Sequence, residues 1–155
     1  MSKISSEDFV KAFQNAQKDM VLDISSSDPK RADLVVKLEN VVEVAESLRD
    51  NFGFVMPISA GAIDYPEESR IRMIYYLFHP ASRFLLTLRV DLPRDNPSMP
   101  TLTSVWEAMS FSEREAHDMF GIMFEGHPNL IPILLSPDWK GGHPLLKDFK
   151  GEGQQ

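Results

Sequence analysis

Apolar side chains recur at helical spacing near the start of the chain. Phe9 and Phe13 lie four residues apart and follow two serines and an acidic first turn, so we predict a helix over residues 6–17. A second apolar face follows Asn40, which is predicted to cap a helix that ends near Gly53. Two helices that each bury one apolar face are therefore expected.

Five segments rich in β-branched and aromatic residues have the pattern of strands. We expect these strands at residues 21–24, 33–39, 54–63, 70–78 and 83–92. His79 to Ser82 forms a short connection between the last two, and their partial alternation of apolar and polar residues predicts antiparallel pairing. The segment SSSDPKR, residues 25–31, is predicted to be a turn.

Three prolines after the last strand break the β pattern and lead into a helical region. Thr103 or Ser104 is expected to cap a first short helix. Ser112 and Glu115 have the spacing of a capping box, which predicts a second short helix that Gly121 ends. The order of the elements predicts an α+β fold, in which helices cover one face of an antiparallel sheet.

Beyond Gly121 the chain is rich in proline and glycine, and no regular element is predicted there. It nevertheless carries ten large apolar residues between Phe124 and Phe149. Ordering about thirty residues costs about 1–2 kcal/mol each in backbone entropy, whereas burying an apolar side chain returns about 1.5–3 kcal/mol. This balance favours an arm that is fully ordered only against a neighbouring subunit, over a free-standing monomer whose tail wraps its own domain. We therefore predict an α+β domain, residues 1–120, and an extended C-terminal arm, residues 121–155.

The composition disfavours several kinds of partner and bound group. The chain has 155 residues, of which 43% are apolar and 25% charged, as in ordinary globular proteins. Its net charge of −7 disfavours nucleic acid and anionic lipid as main partners. Without cysteine, the chain has no thiolate for a disulfide, a zinc site or an iron–sulfur cluster. The polar start does not resemble a signal peptide, and no apolar run approaches the roughly 20 residues that span a bilayer, so a cytoplasmic location is expected.

Charged and titratable residues are concentrated in the last predicted helix. Glu113 and His117, like Arg114 and Asp118, are spaced for pairing on a helix face, so one hypothesis is a solvated, self-paired surface. A second is a small hydrolase that uses Glu115, His117 and Asp118. A third is a charged ridge that a partner protein matches, which would fix the orientation of the two chains. Beside an apolar arm, the third hypothesis is the most coherent.

A metal site is disfavoured by spacing. The candidate ligands are Glu115, His117, Asp118, His127 and His143. None of them has the His-x-x-x-His or Glu-x-x-His spacing that places two ligands on adjacent turns of a helix. No glycine-rich loop with a lysine precedes a helix, so a phosphate site is not expected either.

Several motifs carry a family resemblance. The segments EREAHDMFGIMFEGHPNL, ILLSPDW and GGHPLLKDF follow one another in the last third of the chain, and AIDYP occupies residues 62–66. Together they resemble the complex I 30-kilodalton subunit family, also called the C subunit of NADH dehydrogenase. The family includes related subunits of energy-converting membrane-bound hydrogenases and of archaeal deazaflavin-dependent dehydrogenase complexes. The resemblance covers roughly residues 32–149.

The resemblance implies a role without chemistry of its own. It implies a structural subunit, with no catalytic residue, of the peripheral arm of a redox complex on the cytoplasmic side of the membrane. Such a protein supports electron transfer to quinone or proton, coupled to ion translocation. Its implied partners are a hydrogenase-like large subunit and cluster-bearing subunits, which hold the iron–sulfur clusters and any nickel–iron, flavin or quinone. The implied interface residues are Glu113, Arg114, Glu115, Asp118, Phe120, Gly121, His127, Pro128, Asp138, Trp139, His143, Pro144, Lys147 and Asp148.

Overall fold

The first helix forms where the sequence predicts it. The computed structural model of the protein describes residues 3–151, and helix α1 spans Ser6–Gln17. Ser5 caps α1, because its hydroxyl accepts a hydrogen bond from the Asp8 N–H at 3.1 Å. Phe9 and Phe13 point inward from α1 and are completely buried.

The remaining elements follow as strands and two more helices. They are β1 (Val21–Asp28), β2 (Arg31–Val36), α2 (Val41–Asp50), β3 (Met56–Tyr65), β4 (Arg70–His79), β5 (Phe84–Pro93), β6 (Ser98–Pro100), α3 (Ser110–Phe120) and β7 (Met123–Glu125). A single-turn 3₁₀ segment precedes α2 and another precedes α3. Within residues 3–151, no helix has both the length and the apolar character needed to cross a bilayer.

The main sheet is mixed but mostly antiparallel. Its five strands lie in the order β1-β2-β5-β4-β3. The predicted antiparallel pair, β4 with β5, is confirmed over its whole length, from Arg70 opposite Pro93 to His79 opposite Phe84. Strands β2 and β5 are parallel, which the sequence patterns did not predict, because α2 and a hairpin separate them in the chain.

The buried residues form one apolar cluster. Alternate residues of β2, β4 and β5 are buried together with the inward faces of α1, α2 and α3. The apolar residues that recur every two positions in the strands and about every 3.6 positions in the helices all contribute to this cluster, as their patterns predict. The result is a mixed α/β fold with few helices.

Strand β1 corrects one prediction. The serine-rich segment expected to be a turn continues the strand as far as Asp28, and only Pro29 and Lys30 turn the chain. Pairing with β2 carries the strand on, with Asp28 opposite Arg31, and the Ser6 hydroxyl donates to the Asp28 carbonyl oxygen at 3.0 Å. Pairing with β2 and the hydrogen bond from Ser6 outweigh the local turn preference of the three serines.

The helix caps are a second correction. The two short helices predicted after residue 103 are one continuous element, in which a 3₁₀ turn runs into α3. Met109 occupies the N-cap, so Ser112 lies inside α3 and the predicted capping box is wrong. Asn40 likewise makes no side-chain cap to α2. Gly121 does end α3, with a φ of 74° that favours glycine.

Strand β7 is a short element that the sequence patterns did not reveal. It pairs in parallel with β6, with Met99 opposite Phe124. Backbone hydrogen bonds flank the pair on both sides, from Met123 N–H to the Pro97 carbonyl and from Thr101 N–H to the Glu125 carbonyl. A three-residue strand beside prolines carries too little pattern to be predicted. No helix or strand follows β7 as far as residue 151.

Candidate functional site

Glu113, the first charged residue of the motif, is a fully buried carboxylate in α3. Its Oε1 accepts hydrogen bonds from the Tyr75 hydroxyl at 3.0 Å and from the Leu102 N–H at 2.9 Å, while the Thr101 hydroxyl donates to Oε2. Burial raises the pKa of Glu113 above its ordinary value, although the hydrogen bonds from Thr101, Leu102 and Tyr75 oppose that shift. Glu113 therefore joins α3 to β4 and to the loop after β6.

Asp118, also buried, holds a stretch of the C-terminal segment. Its Oδ2 accepts three consecutive backbone N–H bonds, from Ile133 at 2.9 Å, Leu134 at 2.8 Å and Leu135 at 3.1 Å. Burial alone would raise the pKa of Asp118, but these backbone hydrogen bonds outweigh it and the pKa lies below its ordinary value. We call Ile131 to Leu135 the braced loop, because a second side chain of α3 also binds it.

That second side chain is Arg114. Its Nε donates to the Ile131 carbonyl oxygen at 3.0 Å, and one of its Nη atoms donates to the Pro132 carbonyl oxygen at 3.1 Å. The spacing of Arg114 and Asp118 had suggested an ion pair between them. Instead Arg114 binds two carbonyl groups of the braced loop, and Asp118 binds three of its amide groups. The two side chains therefore bind the main chain of the loop rather than each other.

The histidines of the region also bind main chain. The Nδ1 of His117 lies 2.8 Å from the Ile122 carbonyl oxygen, and the Nδ1 of His143 lies 2.9 Å from the Asp118 carbonyl oxygen. The Nδ1 of His127 accepts a hydrogen bond from the Asn129 N–H at 3.0 Å. A carbonyl oxygen can only accept, so His117 and His143 both carry a proton on Nδ1.

This arrangement gives no observation in favour of the hydrolase hypothesis. Glu115 is exposed, whereas Asp118 and His117 are engaged with backbone groups. A catalytic constellation needs a nucleophile and a base that face one point, whereas His117 and Asp118 are each bound to backbone groups. Within residues 3–151, no group of three or more His, Asp or Glu side chains is arranged to hold a metal ion.

Gly121 and His143 fit together at the end of α3. A Cβ on Gly121 would lie 2.5 Å from the His143 Nε2, closer than nonbonded atoms approach. The backbone of Gly121 is also left-handed, with a φ of 74°. Glycine is therefore required both by the conformation of the helix end and by the ring that packs on it.

A second anchor, which the sequence patterns did not reveal, binds the far end of the C-terminal segment. Buried Asp64, at the end of β3, forms a bidentate ion pair with Arg94, at 2.7 and 2.9 Å, and accepts the Lys147 N–H at 2.9 Å. Arg94 also reaches Asp148 at 2.8 Å. The hydrogen bond from Arg94 holds the pKa of Asp64 below its ordinary value. Asp64 belongs to the AIDYP motif, which was the available signal, but its partners are 30 and 83 residues away.

The other expected interface residues divide by exposure. Phe120 is buried in the apolar cluster, and Pro144 is half-buried. The Trp139 Nε1 donates to the Gly142 carbonyl oxygen at 2.6 Å, and its ring packs on Gly141. The exposed members of the set are Glu115, Pro128, Asp138, Lys147 and Asp148.

Comparison with known proteins identifies the family to which this geometry belongs. The sequence profile described as "Respiratory-chain NADH dehydrogenase, 30 Kd subunit" matches residues 34–155. The chain belongs to this family. The resemblance deduced from the sequence motifs is therefore confirmed, and the matched region contains Asp64, Asp118 and the whole of α3.

Among relatives in the 30-kilodalton subunit family, the C subunit of NADH-quinone oxidoreductase from Moorella thermoacetica is 39% identical over 117 residues, which are 76% of this chain and 78% of the relative. This identity extends over most of both chains. The likeness therefore concerns most of the chain rather than a short shared motif.

Two solved structures support the fold of the 30-kilodalton subunit family. A chain in the membrane-bound sulfane sulfur reductase, described as an archaeal respiratory membrane complex, superposes with a TM-score of 0.83 at 24% identity and covers 93% of this chain and 85% of its own. The trypsin-resistant fragment 1–134 of Nqo5 superposes with a TM-score of 0.68 at 27% identity, over 81% of this chain and 99% of the fragment. Both confirm the mixed α/β architecture.

Proposed function

We propose that this protein is a non-catalytic structural subunit of the peripheral arm of a complex I-like, membrane-associated redox complex. Neighbouring subunits carry the iron–sulfur clusters and any nickel–iron, flavin or quinone, and the complex transfers electrons to quinone or proton, coupled to ion translocation. The observation that carries this proposal is that the charged motif of α3 binds other parts of the same chain. Glu113, Arg114 and Asp118 bind their own chain and shape the segment that follows, which is an architectural task.

Residues 121–155, of which 152–155 lie outside the described residues, form in this proposal an arm that docks on a hydrogenase-like large subunit and on cluster-bearing subunits. Support comes from the exposed apolar side chains of Ile131, Leu134 and Leu145. Exposed apolar surface that is braced in place is typical of a protein interface. The exposed charges of Glu115, Asp138, Lys147 and Asp148 would lie around that contact and set its orientation.

The solved fragment of Nqo5 suggests an experiment that tests this division of the chain. It is described as trypsin-resistant and ends at residue 134 of that protein. In the isolated form of the present chain we expect trypsin to cut the segment after Gly121 before it cuts the domain. No helix or strand follows β7 as far as residue 151, and Lys140, Lys147 and Lys150 are exposed there.

Attachment to the cytoplasmic side of the cell membrane would then be indirect. The family includes subunits of respiratory complexes, and the net charge of −7 opposes direct binding to anionic lipid. We therefore place the membrane contact in the partner subunits.

Affinity purification from the native membrane tests the proposal. A tagged full-length chain should co-purify with cluster-bearing subunits in a fixed ratio, and iron should follow those subunits rather than this one. A tagged chain that ends after Pro128 should lose most of them while its domain remains folded. Recovery of the full-length chain alone, without other subunits, would refute the proposal.

A further inference from the structure

Strand β3 lies at the edge of the main sheet, next to β4. In the part of the chain that the structure describes, no hydrogen bond joins the main chain of residues 56–65 to any element other than β4. The backbone groups of β3 that point away from β4 therefore have no protein partner among the described residues. Such a row of N–H and C=O groups is complementary to the main chain of another extended segment.

The pairing of the strands shows which residues of β3 point outward. The Leu85 N–H donates to the carbonyl oxygen of Lys30, the residue before β2, at 2.9 Å, so Leu85 faces β2 and its neighbours in β5 face β4. Alternate residues of a strand face opposite neighbours, and this alternation carries through the pairing of β5 with β4 and of β4 with β3. Gly61 therefore binds β4, whereas the N–H and C=O groups of Ala60 and Ala62 point to the free edge.

The two outer edges of the main sheet differ. The pairing of β1 with β2 has two register shifts, and β1 carries Asp23 and Asp28; irregularity and charge both discourage the addition of another strand. Strand β3 pairs without a shift over residues 59–65 and has no charged side chain over residues 56–63. A regular, uncharged edge of this kind is suited to pairing with an extended segment of another protein.

The side chains of β3 leave room for that segment. Ile58 and Ile63 are 56% and 39% exposed, and a Cβ placed on Gly61 would meet no atom within 4 Å. On the other face of the strand, Ala60 and Ala62 are small and pack against the apolar cluster. An added segment would therefore lie beside small or apolar side chains, and it would have to be uncharged itself.

Helix α3 disfavours a second copy of the chain as the occupant. This helix packs on β3. Two β3 strands that paired edge to edge would lie about 4.8 Å apart and would bring their α3 helices to a similar distance, whereas packed helices need about 8–10 Å. A single extended segment carries no such helix above it.

We propose that the outer edge of β3 receives one extended segment of a partner protein, which binds the main chain of Ala60 and Ala62 and adds a strand to the main sheet. This inference rests on the proposed function, since it takes the partner to be another subunit of the same complex. Main-chain hydrogen bonds supply the affinity of such a contact, and the small or apolar side chains of the segment supply its specificity.

Amide hydrogen exchange, read by mass spectrometry at single residues, tests the added strand. In the isolated chain the amides of Ala60 and Ala62 should exchange freely, whereas the Gly61 amide, which binds β4, should be protected. In the complex purified from the native membrane, exchange at Ala60 and Ala62 should slow by about tenfold or more, and the amides of β1 should exchange as before. Unchanged exchange at Ala60 and Ala62 in the complex would overturn the added strand while the proposed function stands.

Removal of one outward N–H is a second test. Ala62→Pro removes that group and leaves the bonds to β4, so the thermal midpoint of the isolated variant should stay close to the wild type. Co-purification of other subunits with the tagged full-length variant should fall by about tenfold or more. Ala62→Ser, which keeps the N–H, is the matched control and should give the wild-type yield. Wild-type yield with Ala62→Pro would overturn the added strand.

Two further results separate the alternatives. Light scattering of the purified chain should show a monomer; a dimer that Ala62→Pro dissociates would assign the edge to a second copy and would overturn the inference. Absence of any co-purifying subunit with the wild-type chain would refute the proposed function, and the added strand with it.

Discussion

The sheet domain and the C-terminal segment are held by different kinds of contact. In the domain, apolar residues from three helices and the main sheet form one buried cluster. The segment after residue 126 is attached mainly by hydrogen bonds, in which side chains of Asp118, Arg114 and Asp64 bind its main chain. Of its described apolar side chains, Leu130 and Leu146 pack against the cluster. Removing a side chain from the cluster should destabilise the whole domain, whereas removing one attachment should release the segment alone. The two regions should therefore respond separately to mutation and to pH.

The largest expected effect lies in the domain. Phe9 is completely buried and its ring lies 5.2–5.5 Å from the rings of Phe13, Phe52, Phe54 and Phe84. Phe9→Ala should lower the free energy of unfolding by about 3–5 kcal/mol, because it leaves a cavity in the cluster. Urea denaturation followed by circular dichroism measures this loss. A loss below about 1 kcal/mol would show that the aromatic cluster is not what holds α1.

A smaller effect is expected at the junction of the two regions. Gly121→Ala should destabilise the helix end by about 1–2 kcal/mol through its left-handed backbone, and it should also displace the His143 ring. Gly61→Ala is the matched control, because a Cβ on Gly61 meets no atom within 4 Å. Amide hydrogen exchange should rise in the C-terminal segment of Gly121→Ala and not in Gly61→Ala. Equal exchange in both variants would contradict the role given to the His143 contact.

Acid should release the segment through two carboxylates. The pKa values of Asp118 and Asp64 lie below the ordinary value of 3.8, so the stability that they contribute is complete above pH 3.8 and is lost as the pH falls through the lower folded-state values. Glu113 behaves oppositely, because burial raises its pKa above 4.5, and its contribution to stability increases as the pH falls toward that value.

Nuclear magnetic resonance spectra recorded from pH 7 to pH 2 follow this release. The amide signals of Ile133 to Leu135 should shift at low pH in the wild type, and that step should be absent in Asp118→Asn. Burial lowers the pKa of His79 below 6.5, so the domain itself loses some stability as the pH falls below 6.5. The amide signals of β4, which contains His79, report this loss and serve as the reference for the domain. Identical pH profiles for the two sets of amides would contradict separate attachment.

Sequence patterns predicted the elements that depend on local spacing. Helix α1 has the predicted bounds, and β4 and β5 pair as their alternation and short connection indicate. The contacts of α3 could not be predicted in this way. Asp118 binds amides 15 to 17 residues ahead in a segment without periodicity, and the i,i+4 spacing pointed to Arg114 instead. The Asp64–Arg94 pair joins a strand end to a loop 30 residues away, which no local pattern encodes.

Hydrogen exchange at the braced loop tests the central claim most directly. In the isolated wild-type chain, the amides of Ile133, Leu134 and Leu135 should be protected, because the Asp118 carboxylate binds all three. Asp118→Ala should abolish that protection while the amides of β4 exchange as slowly as before, and Glu115→Ala, at an exposed position, should change neither. Unchanged protection of the three amides in Asp118→Ala would show that the motif does not hold the segment.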